Sequence, residues 1–134
     1  MNLYTHLNFG GNCDEAFRFY EKHLGGRIVM MMRQDEAPNA PPGAGKAVIH
    51  AQMEIADTVL IGNDVPAANF QPMRSAYLYL SVESTEKAKS IHKLLAEGGQ
   101  IFMDLGETFY ATHFVMLRDR FDVSWTIIHE RPRA

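Results

Sequence analysis

The stretch AVIHAQMEI, residues 47–55, sets an imidazole, an amide and a carboxylate at alternate positions. Val48, His50, Gln52 and Glu54 alternate with Ile49, Ala51, Met53 and Ile55. Successive side chains of a strand point to opposite faces, so one face here is apolar and the other polar. An imidazole beside a carboxylate suits a metal ion, a bound ligand or proton transfer. The same alternation brings Tyr4, His6 and Asn8 to one face near the N-terminus, and Tyr77, Tyr79 and Ser81 past the middle. Near the end, Ser124 and Thr126 take that face while Val123, Trp125 and Ile127 go to the core. An antiparallel sheet commonly leaves one face wet, but a merely solvated face favours Lys, Glu and Thr. Tyrosines and histidines, with no Lys or Arg among these positions, favour a ligand cavity.

Other residues invite chemistry less strongly. Glu107 and Tyr110 precede a strand in a segment too irregular to be a strand itself. Glu107 is a candidate for a polar ligand group and Tyr110 for closing the cavity; for Phe109 a core position is favoured over closing the cavity. Cys13 opens a helix, where the dipole lowers a thiol pKa, and is read as a small buried residue. His23 and His92 are expected in solvent. Arg118 and Asp119 read as a structural ion pair in a turn, with no chemistry attached. His129 lies near the chain end, and HERPRA is expected to fray.

The elements that must position these residues follow from patterning. Tyr4–Phe9 reads as a strand. Asn12, with Glu15 three residues on, reads as a capping box variant. Ala16, Phe17, Tyr20 and Leu24 mark a helix that Gly25 and Gly26 end. Arg27–Arg33 is a strand whose Met30, Met31 and Met32 suit an adaptable apolar wall. Residues 34–46, with three prolines and two glycines, form a loop. Strands are expected over Lys46–Ile55 and Thr58–Gly62, around a tight turn at Ala56–Asp57. After a loop at 63–74 the order repeats: strand Ala76–Val82, a helix capped by Ser84 or Thr85 with Ala88, Ile91, Leu94 and Leu95 buried, then strands Gln100–Asp104, His113–Arg118 and Val123–His129. Segments 6–28 and 79–101 align at an offset of 73 residues, with the paired glycines and the next Ile in register. Each half reads βαβββ. The chain is expected to be one domain over 1–134: module one 1–64, linker 65–75, module two 76–130.

Composition bounds the function. The chain has 134 residues, 46% hydrophobic and 22% charged, enough for one domain. A net charge of -3 argues against a nucleic-acid partner. No apolar run suits a membrane span and no secretory signal is visible. One cysteine excludes an internal disulfide. A cytoplasmic protein is expected.

NFGGNCDEAFRFYEKHLGG, VIHAQMEI and GETFYATHFVMLRDRFDVSWTI resemble the vicinal-oxygen-chelate superfamily of glyoxalase I, bleomycin-resistance proteins and extradiol dioxygenases, and most closely its PhnB-like branch. The likeness covers nearly the whole chain. Asp122 departs from it, standing where that branch usually has Gly, and Asp tolerates such turns. The resemblance implies an α+β fold of two βαβββ modules forming an incomplete barrel around a cleft, and a homodimer. It implies metal-ligand positions at Tyr4, His50, Tyr77 and Thr126, a poor donor set for a divalent ion. A shift of one strand alternation instead selects His6, His50 and Glu54. The branch has carried a methyltransferase-like label, but no glycine-rich strand-to-helix turn of the cofactor-cradling kind is present. The expectation is a small polar ligand bound by Tyr4, His6, Asn8, His50, Gln52, Tyr77, Tyr79, Glu107, Tyr110 and Thr126 without a metal cofactor. The alternative is a lyase, isomerase or oxygenase using one divalent metal ion at the shifted site.

Overall fold

A five-residue strand, β1 (Thr5–Phe9), leads into helix α1 (Cys13–Leu24). Strands β2 (Arg27–Arg33), β3 (Val48–Ile55) and β4 (Thr58–Asp64) follow. The order then repeats as β5 (Leu78–Ser81), α2 (Thr85–Ala96), β6 (Gln100–Asp104), β7 (Ala111–Arg118) and β8 (Ser124–Glu130). This computed structural model describes residues 1–132. They fall into two compact units, Met1–Gln71 and the chain from Pro72 onward. Each unit is βαβββ and builds a four-stranded mixed sheet, with orders β1-β4-β3-β2 and β5-β8-β7-β6. The first strand of each unit pairs in parallel with its last. The remaining pairs are antiparallel.

In the first unit, α1 buries Ala16, Phe17 and Tyr20 at helical spacing against Leu7, Phe9, Met53 and Leu60. Phe17 meets Phe9 edge-on at 6.0 Å between ring centroids. Gly62 makes room for it, since a Cβ there would lie 2.6 Å from Phe17 Cζ. Each large side chain so buried stabilises the fold by about 1.5–3 kcal/mol. Gly25, at φ 73°, ends the helix and donates its N–H to the Tyr20 carbonyl. In the second unit α2 buries Ala88, Ile91 and Leu95. Leu94 is only half-buried. Ser84 caps this helix, its hydroxyl accepting from Lys87 N at 3.1 Å.

Several expectations need correction. Asn12 precedes α1, but its side chain makes no capping bond. Asp64, at the end of β4, caps instead: Oδ1 accepts from Cys13 N and Oδ2 from Val48 N, both at 2.9 Å. One carboxylate thus ties helix start to strand start. The alternation of β3 breaks at its beginning: Val48 is buried and Ile49 is exposed. Met32 pairs with His50 and Arg33 with Val48, leaving Ile49 as a bulge. From His50 onward the expected alternation holds. β4 extends to Asp64, and β5 starts only at Leu78. The chain end does not fray at HERPR: β8 includes His129 and Glu130, and Arg131 N donates to the Tyr110 carbonyl at 2.9 Å. The last two residues of HERPRA, 133 and 134, lie outside the described residues.

Arg118 and Asp119 do not pair. Asp119 is buried; its Oδ1 accepts from Phe121 N and Val123 N, and its Oδ2 from the Trp125 indole at 2.9 Å. The Arg118 guanidinium donates to the Met73 carbonyl at 3.1 Å. Asp122 adopts φ 67°, the left-handed geometry expected of its turn. His23 is exposed, as expected, and packs on Phe19. His92 is not in solvent; it is half-buried and hydrogen-bonded to His113.

Candidate functional site

The helix-free face of the first sheet gathers the polar residues of that unit in rows. His6 and Gln52 flank Ile61, each paired with it across β4. Asn8 pairs with Asn63, and Met30 and Met32 pair with Gln52 and His50. The His6 ring is hydrogen-bonded to the Asn63 amide oxygen. Asn63 was missed in the sequence because its strand runs past the expected end at Gly62. Tyr4 and Glu54 lie at the far end of this face, lining a hollow of about 800 Å³ with Arg27 and Asp57. The Glu54 carboxylate is paired with Arg27.

His6, His50 and Glu54 are therefore not assembled as a metal set. Strand β4 separates β1 from β3, so His6 and Gln52 stand two strand spacings apart, roughly 10 Å. Among the described residues no group of three or more His, Cys, Asp or Glu side chains is disposed to share a metal ion. The other implied ligand set fits no better. The Tyr77 hydroxyl accepts from Arg74 Nη1 at 2.7 Å, so a cation already faces it. Thr126 offers a buried neutral hydroxyl.

In the second unit, Thr126 pairs with Tyr79 on one side and Met116 on the other. It is buried between these larger side chains, and so contributes little contact surface. Ser124, on the same face, donates its hydroxyl to the Met73 carbonyl at 2.9 Å. Tyr79 remains 59% exposed, its hydroxyl donating to Glu130 Oε1 at 2.8 Å. Burial of the phenol, then the Glu130 hydrogen bond and charge, hold its pKa above the ordinary tyrosine value, so Tyr79 stays neutral.

Tyr110 meets Phe114 and Phe109 edge-on, at 6.0 and 5.0 Å between centroids. Phe109 is not tucked into the core; it is 92% exposed. The Thr108 hydroxyl accepts from Tyr110 N and Ala111 N, fixing this turn. Arg131 pins the same loop to the end of β8, donating Nε to the Thr108 carbonyl at 3.0 Å and pairing with Glu107. Glu107 is thus engaged in holding the loop. Together Tyr79, Phe109, Tyr110, Ile128, Glu130 and Arg131 line a hollow of about 540 Å³. Of these, Glu130 is a carboxylate that contacts a phenol and, among the described residues, pairs with no cation. Aromatic walls with a few placed polar or charged groups are the usual make-up of a small-molecule site.

A further hollow of about 590 Å³ lies at the head of α1, beside Asp14, Arg33 and Lys46. Its cations are already paired, Arg18 and Arg33 with Asp14 and Lys46 with Asp35. Cys13 lies just behind it, fully buried. Burial first, then the Asp64 and Asp14 carboxylates, push its thiol up to about 12. Burial and these charges override the helix dipole, which alone would have activated it.

Comparison with known proteins agrees with this architecture. Residues 1–128 match the family model described as 3-demethylubiquinone-9 3-methyltransferase. Protein YjdN of Escherichia coli is 30% identical over 95% of this chain and 94% of its own length. The crystal structure of protein PA1353 from Pseudomonas aeruginosa superposes with a TM-score of 0.88 at 33% identity, covering 98% of this chain and 99% of that one. A putative 3-demethylubiquinone-9 3-methyltransferase, PhnB protein, from Bacillus cereus gives 0.83 at 28% identity over 96% and 99% of the two chains. For fold alone, a glyoxylase/bleomycin resistance protein/dioxygenase domain from Frankia sp. EAN1pec gives 0.66 at 16% identity over 98% of each chain. The chain belongs to the PhnB-like family that carries the 3-demethylubiquinone-9 3-methyltransferase description, with the fold of the glyoxylase/bleomycin resistance protein/dioxygenase domain.

Proposed function

We propose that this protein binds a small organic molecule in the hollow beside Tyr79 and Tyr110, without the divalent ion of its metal-dependent superfamily members. The observation that carries this reading is the exposure of three aromatic rings, Tyr79, Phe109 and Tyr110, around the Glu130 carboxylate. A ligand with a flat apolar body would cover the rings. An amino or other hydrogen-bond-donating end would meet Glu130, and a cationic one would also gain from the ring faces. The polar face of the first sheet, from His6 to His50, offers imidazoles and amides for a second set of ligand contacts. The protein works in the cytoplasm as a homodimer, in line with its single cysteine and family resemblance.

The test is a thermal-shift panel of small aromatic and aliphatic amines, run on wild type, Glu130→Gln and Tyr110→Ala. A ligand at about 100 times its Kd should stabilise the wild type by about 2.7 kcal/mol, and both substitutions should abolish the shift. A panel without hits, or hits indifferent to Glu130→Gln, would sink the assignment. Elemental analysis of untagged protein checks the metal-free part: one metal ion per chain, lost in His50→Ala, would overturn it. Light scattering checks the dimer.

A further inference from the structure

We infer that Arg74, Arg118 and Tyr77 form a binding site for a small oxyanion, the carboxylate or phosphoryl group of an organic acid. The site lies at the opposite end of the second unit's sheet from the hollow beside Tyr79. Both guanidiniums sit against one ring: Arg74 Cζ is 3.9 Å and Arg118 Cζ 5.1 Å from the Phe102 centroid. Tyr77 meets the same ring edge-on at 6.3 Å and accepts from Arg74 Nη1 at 2.7 Å. Its hydroxyl hydrogen is left over as a donor beside that guanidinium.

Charge pairing singles these two arginines out. Arg18 and Arg33 pair with Asp14, Arg27 with Glu54, Arg120 with Glu97 and Arg131 with Glu107. Among the described residues neither Arg74 nor Arg118 has a carboxylate partner. Their contacts are the Tyr77 hydroxyl, the Met73 carbonyl and the Phe102 ring. Arg118 Nε is buried with no acceptor at all, an uncommon state for a charged donor. Two like charges held on one ring, with unused N–H donors, make a ready acceptor for an anion. The guanidinium fork suits planar carboxylate and tetrahedral phosphoryl oxygens alike.

The site does not rest on the reading of the hollow. Arg118 pairs with Ser124 on β8, whereas Glu130 stands six residues further along that strand, about 20 Å away. Arg74 and Arg118 lie outside the lining of that hollow, so substituting them leaves Tyr110 and Glu130 in place, and Tyr77, two residues from Tyr79, is kept unchanged in the test.

The experiment is calorimetric titration of the full chain with inorganic phosphate and, separately, with malonate, at constant ionic strength. Arg74→Gln is the main variant, because Arg74 is exposed and its loss spares the core. Wild type should show saturable millimolar binding of at least one anion, and Arg74→Gln should bind it roughly tenfold more weakly with an unchanged Tm. Arg118→Lys keeps the charge but loses the fork, and should weaken binding several-fold. Saturation by phosphate alone assigns a phosphoryl ligand, and by malonate alone a carboxylate. No saturation by about 50 mM of either anion, or equal binding by Arg74→Gln, overturns the proposal.

Discussion

His92 on α2 and His113 on β7 are hydrogen-bonded through their rings, Nδ1 to Nε2 at 2.8 Å, with His113 only 8% exposed. One ring must donate and the other accept, so the pair holds together best with at most one proton beyond neutrality. Burial first, and then the His92 charge, lower the His113 pKa from its ordinary 6.5; Lys89 acts the same way and Asp104 opposes them.

A pH dependence of stability follows from this pair. Above about pH 6.5 His113 is neutral in folded and unfolded chains alike, and its contribution is fully present. As pH falls below that value the unfolded chain takes up a proton that the folded chain resists, so stability is lost down through the lowered folded pKa. Urea midpoints should fall between about pH 7.5 and pH 5, and His113→Gln should flatten that fall. An equal slope in the variant would dismiss the pair as its source.

Cys13 should be inert in the native protein. With its thiol pushed up to about 12 and no exposed surface, it should fail to react with a thiol-specific reagent at pH 8 until urea unfolds the chain. The raised folded value also means that stability is lost once pH rises past the unfolded value of 9.0. Rapid native labelling would refute both points.

Removing the Asp119 carboxylate should be among the costliest single changes. It accepts from two backbone N–H groups and the Trp125 indole, all in a buried turn. Asp119→Ala leaves three donors without partners, which should cost roughly 3 kcal/mol or more, read in urea unfolding followed by Trp125 fluorescence. A loss below about 1 kcal/mol would show that water replaces the carboxylate.

The β3–β4 turn offers a stabilising change. Ala56 is held at φ 47° and Asp57 at φ 63°, both left-handed. Ala56→Gly should relieve steric strain and raise stability by about 1 kcal/mol, measured as a higher urea midpoint.

The order of elements was readable because hydrophobic periodicity and paired glycines mark them locally. The tight turn at Ala56–Asp57 was equally plain, and the cap of α2 was narrowed to Ser84 or Thr85, of which Ser84 makes the bond. What escaped depends on partners distant in sequence. The bulge at Ile49 has no residue-type signature; only pairing with β2 reveals it. Asp64 reads as a loop acid until Cys13 N and Val48 N converge on it. Arg118 and Asp119 look like a pair because they are adjacent, yet β7 ends between them and the Asp119 carboxylate turns inward to Phe121 N, Val123 N and the Trp125 indole. Alternation put His6, Asn8, His50 and Gln52 on one face correctly. It gave no sign that two carboxylates of the expected sites, Glu54 and Glu107, would be taken by Arg27 and Arg131.

The parallel closure of each sheet bears on how the chain is made. Among the described residues β1 pairs only with β4, with Thr5 opposite Leu60, so once synthesised it must wait for about 55 further residues before it can pair. The first sheet is then complete, and can form while the second half is still being synthesised. In the second unit β8 lies between β5 and β7. A nonsense codon after Arg118 and before Ser124 removes this central strand alone, leaves β5 and β7 with raw edges and turns the product into a target for aggregation and degradation.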